Sequence, residues 1–376
     1  MNPSTVQTPL RAIAAAAIAL LSAASATGLP AAPNGTAAPQ SAGFYEQTNL
    51  VSDEPGVALI QDPDLVNPWG ISLSPAGGAF WVANNETGTA TLYTGDVEGS
   101  TFSKAALTVA IPGGVPTGTA FNPTADFVVS AGADSGPALF LFVSLGGQVT
   151  GWNPAVPPPP PSTTAQVAAV AEATYTGMTI GQTSTGANVI YAADFENGKI
   201  DVFDADFDLT ELDGSFTDPD LGRSLSPFNI QNIGGRLYIA YARHSARDPE
   251  EETSHGPGAV NVYDTDGHLL QQLIGHGGRL VAPWGMALAP ADFGPFSNDL
   301  LVGDFATGRI LAFDPETGEF LGFMRGEDAR PIAIEGLWGI LFGNGVTAGD
   351  ADTLYFAAGP DDETHGLFGS LRFAGD

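Results

Sequence analysis

A short strand-forming run, entered by glycine or an equivalent small turn residue, recurs six times along this chain. The copies are PWGISLSP at Gly70, PTGTAFNP at Gly118, YTGMTIG at Gly177, PFNIQNIGG at Asn229, PWGMALAP at Gly285 and LWGILFGN at Gly339. Their spacings are 48, 59, 52, 56 and 54 residues. A period of this size marks a repeat architecture, in which one unit cannot bury its own apolar faces and needs its neighbours. Each copy continues with a second run (FWVANN, FVVSAG, VIYAADF, RLYIAYA, LLVGDF, LYFAAGP) and a third (TATLYTG, ALFLFVS, KIDVFDA, AVNVYDT, RILAFDP, GLFGSLR). A fourth, more polar run follows in several, as in ALTVAI, AQVAAV and LLQQLIG. Four short strands, six times over, predict an all-β fold: a six-bladed β-propeller with four antiparallel strands per blade.

The sixth copy stops after its third run. FYEQTNLVSD, Phe44 to Asp53, precedes the first copy and can supply the missing strand. The ring is then closed by the N-terminal strand, which covers an edge that would otherwise be open to solvent. The proline run NPAVPPPPPST, Asn153 to Thr163, does not break the period, so it reads as an exposed loop between third and fourth strands. Residues 43–376 thus form one propeller domain.

Composition sets the compartment and the partners. Glycine (48) and proline (29) are abundant while charged residues make up 14% of the chain, which suits short strands and tight turns. There is no cysteine, so stability rests on packing and ring closure and no thiolate can hold a metal. Twelve basic residues face 42 acidic ones, a net charge of -30. That balance repels a phosphate backbone and an anionic membrane, so nucleic acid is excluded as a partner. Residues 1–26 read as a secretory signal peptide, with Arg11, an apolar run from Ala12 to Leu21 and Ala24-Ser25-Ala26 at the cleavage point. Residues 27–42 follow as a flexible lead-in, and no later run is suited to membrane insertion. The expectation is a secreted (extracellular or periplasmic) soluble monomer.

The segments NLVSDEPG, DPDLVNPWGISLSP, FWVANNETGTATLY, YAADFENGKIDVFD, PFNIQNIGGRLY, PWGMALAP and AGPDDETHGLFGSL cover essentially all of residues 48–371. In them the chain resembles a family of uncharacterised secreted bacterial six-bladed propellers, some with PEP-CTERM tails. The repeat is also similar to the NHL and gluconolactonase/senescence-marker propellers. The resemblance implies fold and export and no established reaction. This chain carries no PEP-CTERM tail, so sorting to the cell surface is not implied.

In such a blade, the loop leading into the first strand and the loop joining strands two and three open on one face. Asn67, Trp69, Trp284 and Trp338 should therefore meet Asn84, Asp194, Asp304 and Asp361 at the channel mouth, where propeller ligands bind. The tryptophans offer stacking area for a sugar or ring, or else pack between blades. The acids are followed by Thr-Gly or Asn-Gly, the chemistry of a hairpin turn closed by a carboxylate. Asp204, Asp264 and Asp314 fall on the opposite face as turn formers. DADFDLTELDG lacks the glycine and glutamate of a calcium-binding EF-hand loop.

The lactonase-type resemblance implies one divalent ion, Ca²⁺ or another, at the mouth, for which Asn67, Asp194, Asp304 and Glu335 are the candidates. That branch's opening glutamate is replaced here by Asn67-Pro68. An acidic insertion, Arg243 to Gly256, carries His244 and His255 and reads as a solvated loop or a lid over the same face. Asn34 and Asn85 sit in glycosylation sequons. Two functions follow: a binding or scaffold propeller recognising a small molecule, glycan or protein, or a metal-dependent hydrolase or lyase of the lactonase type. No nucleophile, zinc or nucleotide-binding motif decides between them.

Overall fold

A computed structural model describes residues 43–244 and 257–375. The signal peptide, the lead-in, Asn34 and all of the acidic insertion beyond His244 lie outside these residues. The chain forms six blades around an axis, almost without helix. Blade 1 runs outward from Pro68–Ser72 through Phe80–Asn84 and Thr89–Thr94 to Ser103–Ala110. Blade 3 begins with Tyr175–Gln182, blade 4 with Leu225–Ile233, blade 5 with Pro283–Leu288, and each repeats the four-strand antiparallel plan. No helix among the described residues is long and apolar enough to cross a membrane.

Blade 6 confirms the closure. Its three C-terminal strands, Leu337–Phe342, Leu354–Ala358 and Leu367–Ala374, are completed on the outside by Phe44–Ser52, antiparallel to the last of them. A further two-residue strand, Ile60–Gln61, adds in parallel to the closing strand. Blade 2 departs from the sequence reading. Its first strand is Pro116–Phe121, but its second and third are Phe140–Ser144 and Gln148–Trp152, with Gln166–Val170 outermost. The run FVVSAG, expected as the second strand, lies instead in an inserted hairpin, Val128–Ala131 with Asp134–Pro137. This hairpin packs onto Gly151, where an added Cβ would strike Ala138 and Val129 at 2.7 Å. The proline run does fall between third and fourth strands.

The recurrent glycine has one physical cause. The innermost strands touch in cyclic order, each against the next blade's. A Cβ on Gly70 would lie 2.6 Å from the Thr117 carbonyl, on Gly118 2.5 Å from the Met178 amide, on Gly285 2.5 Å from the Trp338 carbonyl and on Gly339 2.5 Å from the Trp69 carbonyl. At these four seams blade-to-blade contact is therefore backbone against backbone, which only glycine permits. Asn229, the one exception among the six, sends its Nδ2 2.8 Å to the Trp284 carbonyl of blade 5. Gly285→Ala is expected to cost about 1–3 kcal/mol through this clash, seen as a lower chemical-denaturation midpoint, whereas Gly275→Ala, with nothing near, leaves the midpoint unchanged.

The buried apolar side chains fall into seven clusters, six between neighbouring blades and one on the axis. Both lysines serve this packing. Tyr93 of blade 1 donates its hydroxyl 2.6 Å to buried Asp62, which also receives Lys104 at 2.5 Å. Tyr175 of blade 3 does the same with Asp201, held by Lys199 at 2.6 Å. Burial and the adjacent Asp62 carboxylate push the Tyr93 phenol up, so it stays a hydrogen donor.

Candidate functional site

The face onto which the innermost strands' leading loops open is closed at its centre by aromatic rings. Trp338 of blade 6 lies between Trp69 of blade 1, at 3.5 Å and 17°, and Phe305 of blade 5, at 4.0 Å and 26°. Trp284 stands edge-on to both tryptophans, at 6.2 and 5.8 Å. Phe195 of blade 3, Phe228 and Ala242 of blade 4 and, half-buried, Leu145 of blade 2 complete the cluster, so every blade contributes. The tryptophans do converge, as the repeats predict, but at 1% (Trp69), 4% (Trp284) and 1% (Trp338) exposure their faces lie against one another. A sugar-stacking platform would need an open ring face, and these rings pack as a plug.

The polar candidates fall around this plug. Asn67 sits in the left-handed region at φ 47, is fully buried and bridges two loops. Its Oδ1 accepts from Trp338 Nε1 at 3.2 Å and its Nδ2 donates to Glu363 at 3.0 Å. Asp194 accepts from the Thr174 amide at 3.1 Å, the Asn197 amide at 3.3 Å and Asn197 Nδ2 at 2.7 Å. Asp304 accepts from the Val281 and Ala282 amides at 2.7 and 3.2 Å. Each of these acids ties the loop leading into its blade's first strand to the strand-two hairpin turn, whose glycine amide donates to the acid's own main-chain carbonyl: Gly198 to that of Asp194 and Gly308 to that of Asp304. Burial pushes the Asp304 carboxyl above its ordinary range, against the pull of those backbone amides.

Glu335 accepts from the Asp361 amide at 3.2 Å. As placed, these donors do not suit a shared divalent ion: two of the carboxylates already cap amides, and no three His, Asp or Glu gather into a metal-holding group among the described residues. Lys199 starts the third strand of blade 3 on this face, 3.9 Å from Asp194.

Sequence reasoning under-read three features. Phe195 and Phe305 follow Asp194 and Asp304 directly, so the repeated Asp-Phe pair was the signal for the axial plug. His244, quoted only as part of an insertion, is buried at the end of blade 4's second strand, its ring 5.2 Å from Phe195 and its Nε2 3.0 Å from Glu196 of blade 3. His365 of blade 6 is held by Asp53 beyond the closing strand at 2.8 Å, which keeps its imidazole above the usual range. Within its sequon, Asn85 is buried, with Nδ2 donating 3.2 Å to the Pro116 carbonyl, so it offers no acceptor for a glycan.

Several buried polar atoms have no partner, and those at this mouth include Trp69 Nε1, Asn84 Oδ1, Arg243 Nε and His244 Nδ1. The first is an obligate donor inside the plug, the second an acceptor at the end of blade 1's second strand, and the last two end the strand of blade 4 that packs on the plug.

Together the ring of four-stranded blades and the plugged axis define a six-bladed propeller. No family model matches the chain. The chain belongs to the same family as two proteins of Acanthamoeba polyphaga mimivirus. "Uncharacterized protein R648" is 33% identical over 330 residues, covering 86% of this chain and 78% of the relative. "Uncharacterized protein L690" is 33% identical over 338 residues, covering 86% and 84%. These relatives are viral, where the sequence reading expected a bacterial family, and they are uncharacterised. A structural genomics protein of unknown function from Bacteroides thetaiotaomicron shares the fold at TM-score 0.50 and 11% identity, over 89% of this chain and 77% of that one. Structural neighbours also include virginiamycin B lyase from Staphylococcus aureus (TM-score 0.46, 12% identity, 87% of this chain and 99% of that one). A putative gluconolactonase follows (TM-score 0.39, 14% identity, 63% and 84%). These likenesses are of fold alone.

Proposed function

We propose that this protein is an exported binding propeller whose ligand docks at the plugged mouth and presents a hydrogen-bond acceptor, such as a carbonyl or carboxylate oxygen, to it. The observation that carries the reading is Trp69 Nε1, a buried N–H without a partner. Leaving such a donor unpaired costs about 1–3 kcal/mol. The other two indoles of the plug are paired, Trp284 Nε1 to the Thr176 carbonyl at 3.0 Å and Trp338 Nε1 to Asn67 Oδ1 at 3.2 Å, so the orphan marks a place where something else binds. Arg243 Nε and His244 Nδ1 extend the same unmet capacity along the rim. With Nε2 on Glu196, the His244 ring is oriented, and Nδ1 is the atom left for a ligand. Glycan, peptide and small-molecule ligands all offer the required acceptor. Export rests on the leader read in residues 1–26. The metal-dependent hydrolase reading has less support, because Asp194 and Asp304 are taken up by backbone amides.

The test is a screen of residues 43–376 against glycan and peptide panels, followed by titration of a hit through tryptophan emission. Trp69→Phe keeps a ring in the stack and removes the N–H, and is expected to weaken the hit about tenfold, or about 1.4 kcal/mol. Equal affinity in Trp69→Phe and in His244→Gln would place the site elsewhere. Binding abolished by a chelator and restored by Ca²⁺ would favour the metal reading instead.

A further inference from the structure

The rim of blades 1 and 2 differs from the rest of the molecule. From Ala105 to Ala171 the chain carries only two charged residues, Asp126 and Asp134, although 14% of the whole sequence is charged. The outermost strand of blade 2, Gln166–Val170, pairs inward with Gln148–Trp152 and belongs to a sheet that ends there. Its Val167 and Val170 are 49% and 66% exposed. The same surface continues into blade 1, whose outermost strand is tied to the segment before Gln166. Ala110 N donates to the Thr163 carbonyl at 2.8 Å, and Ala165 N returns to the Ala110 carbonyl at 2.9 Å. The one charge on blade 1's outer strand, Lys104, is drawn to Asp62 and Asp64. The loop before Gln166 carries Pro158 to Pro161, all exposed, and is anchored by Trp152 Nε1 to the Ser162 carbonyl at 2.9 Å.

Open sheet edges are ordinarily blunted by charge, most often lysine, because an uncharged edge templates pairing with another chain. The outer strands of blades 4 and 5, Leu269–Ile274 and Phe320–Phe323, are also uncharged, but charge closely flanks them in Asp264, Asp266, Glu316, Glu319 and Arg325. Around blade 2's edge the uncharged stretch runs unbroken from Asp134 to Glu172. We propose that this edge is a homotypic interface: a second copy of this chain adds its own Gln166–Val170 strand, antiparallel, across a two-fold axis. Charge selects this occupant. Two copies at -30 each repel over most of their surfaces, and the uncharged sector is where they approach at least electrostatic cost. The pairing is isologous, as a closed dimer requires. With Ala168 at the axis, Gln166 of one copy stands opposite Val170 of its mate, and the exposed valines leave water. This replaces the monomer expected from composition and is independent of the mouth.

Sedimentation equilibrium on residues 43–376 tests it. A monomer–dimer equilibrium is expected, with the dimer favoured as salt rises toward about 1 M, where the screening length is roughly 3 Å. The double variant Val167→Asp/Val170→Asp is expected to be monomeric at the same concentration while melting like the parent. Val170→Asp alone, at the more exposed position, covers the case in which the double variant fails to fold. Leu288→Asp, exposed on blade 5, is expected to dimerise as the parent does. A parent that is monomeric at every concentration and salt overturns the proposal, as does a dimer that survives Val170→Asp.

Discussion

Deleting residues 43–53 is expected to lower the melting temperature by more than any single substitution, or to abolish folding. The closing strand buries Tyr45 between blades 5 and 6 and Leu50 and Val51 between blades 6 and 1, so it belongs to two inter-blade clusters at once. Burying three such side chains contributes roughly 1.5–3 kcal/mol each. The strand also satisfies the outer edge of Leu367–Ala374 through an eight-residue register interrupted by one bulge at Asn49–Val51. Tyr45 adds a hydroxyl bond of 2.9 Å to the Phe293 carbonyl of blade 5. Calorimetry of the truncated protein checks this. A melting temperature equal to that of residues 43–376 would show that the blades hold together without the strand.

Trp338→Ala carries the second-largest expected effect, a loss of about 3–5 kcal/mol. It removes the middle ring of the stack and leaves Trp69 and Phe305 facing a cavity. It also leaves Asn67 Oδ1 without the indole donor that reaches it from blade 6. Chemical denaturation measures the cost, and Trp338→Phe should recover most of the packing but not the hydrogen bond. A loss below about 1 kcal/mol, the size of a surface change, would mean that the rings are loosely held and the mouth is open.

Much of this architecture could be read before any coordinates. The six repeated runs were legible because innermost strands meet backbone to backbone at four of the seams, a constraint that fixes residue type at Gly70, Gly118, Gly285 and Gly339 whatever their surroundings. Phe44–Ser52 was legible as the closing strand because the sixth copy stops one strand short. Blade 2 misled because Val128–Ala131 has strand composition and does form a strand, only in a hairpin laid on the blade. The Asp194 and Asp304 turns announced their local hydrogen bonds, which depend on neighbours in sequence.

The state of the tryptophans was beyond reach. Whether converging rings form an open shelf or a packed plug depends on Phe195, Phe228 and Phe305 filling the same space from other blades. The His244–Glu196 contact likewise joins two blades, and no spacing reveals it.

The contacts between innermost strands also bear on how such a chain can change over generations. A solenoid lengthens by duplicating a unit, because its ends are free and a new unit needs only to fit the last. Here Gly70, Gly118, Gly285 and Gly339 are seated against the next strand's peptide groups in a circuit that returns from Gly339 to Trp69. An inserted seventh unit would alter the angle at those four seams, where the glycine has no side chain that could shift to absorb it. Variation in this lineage should therefore arrive as insertions at the periphery, such as the hairpin after Phe127, while the number of copies stays fixed.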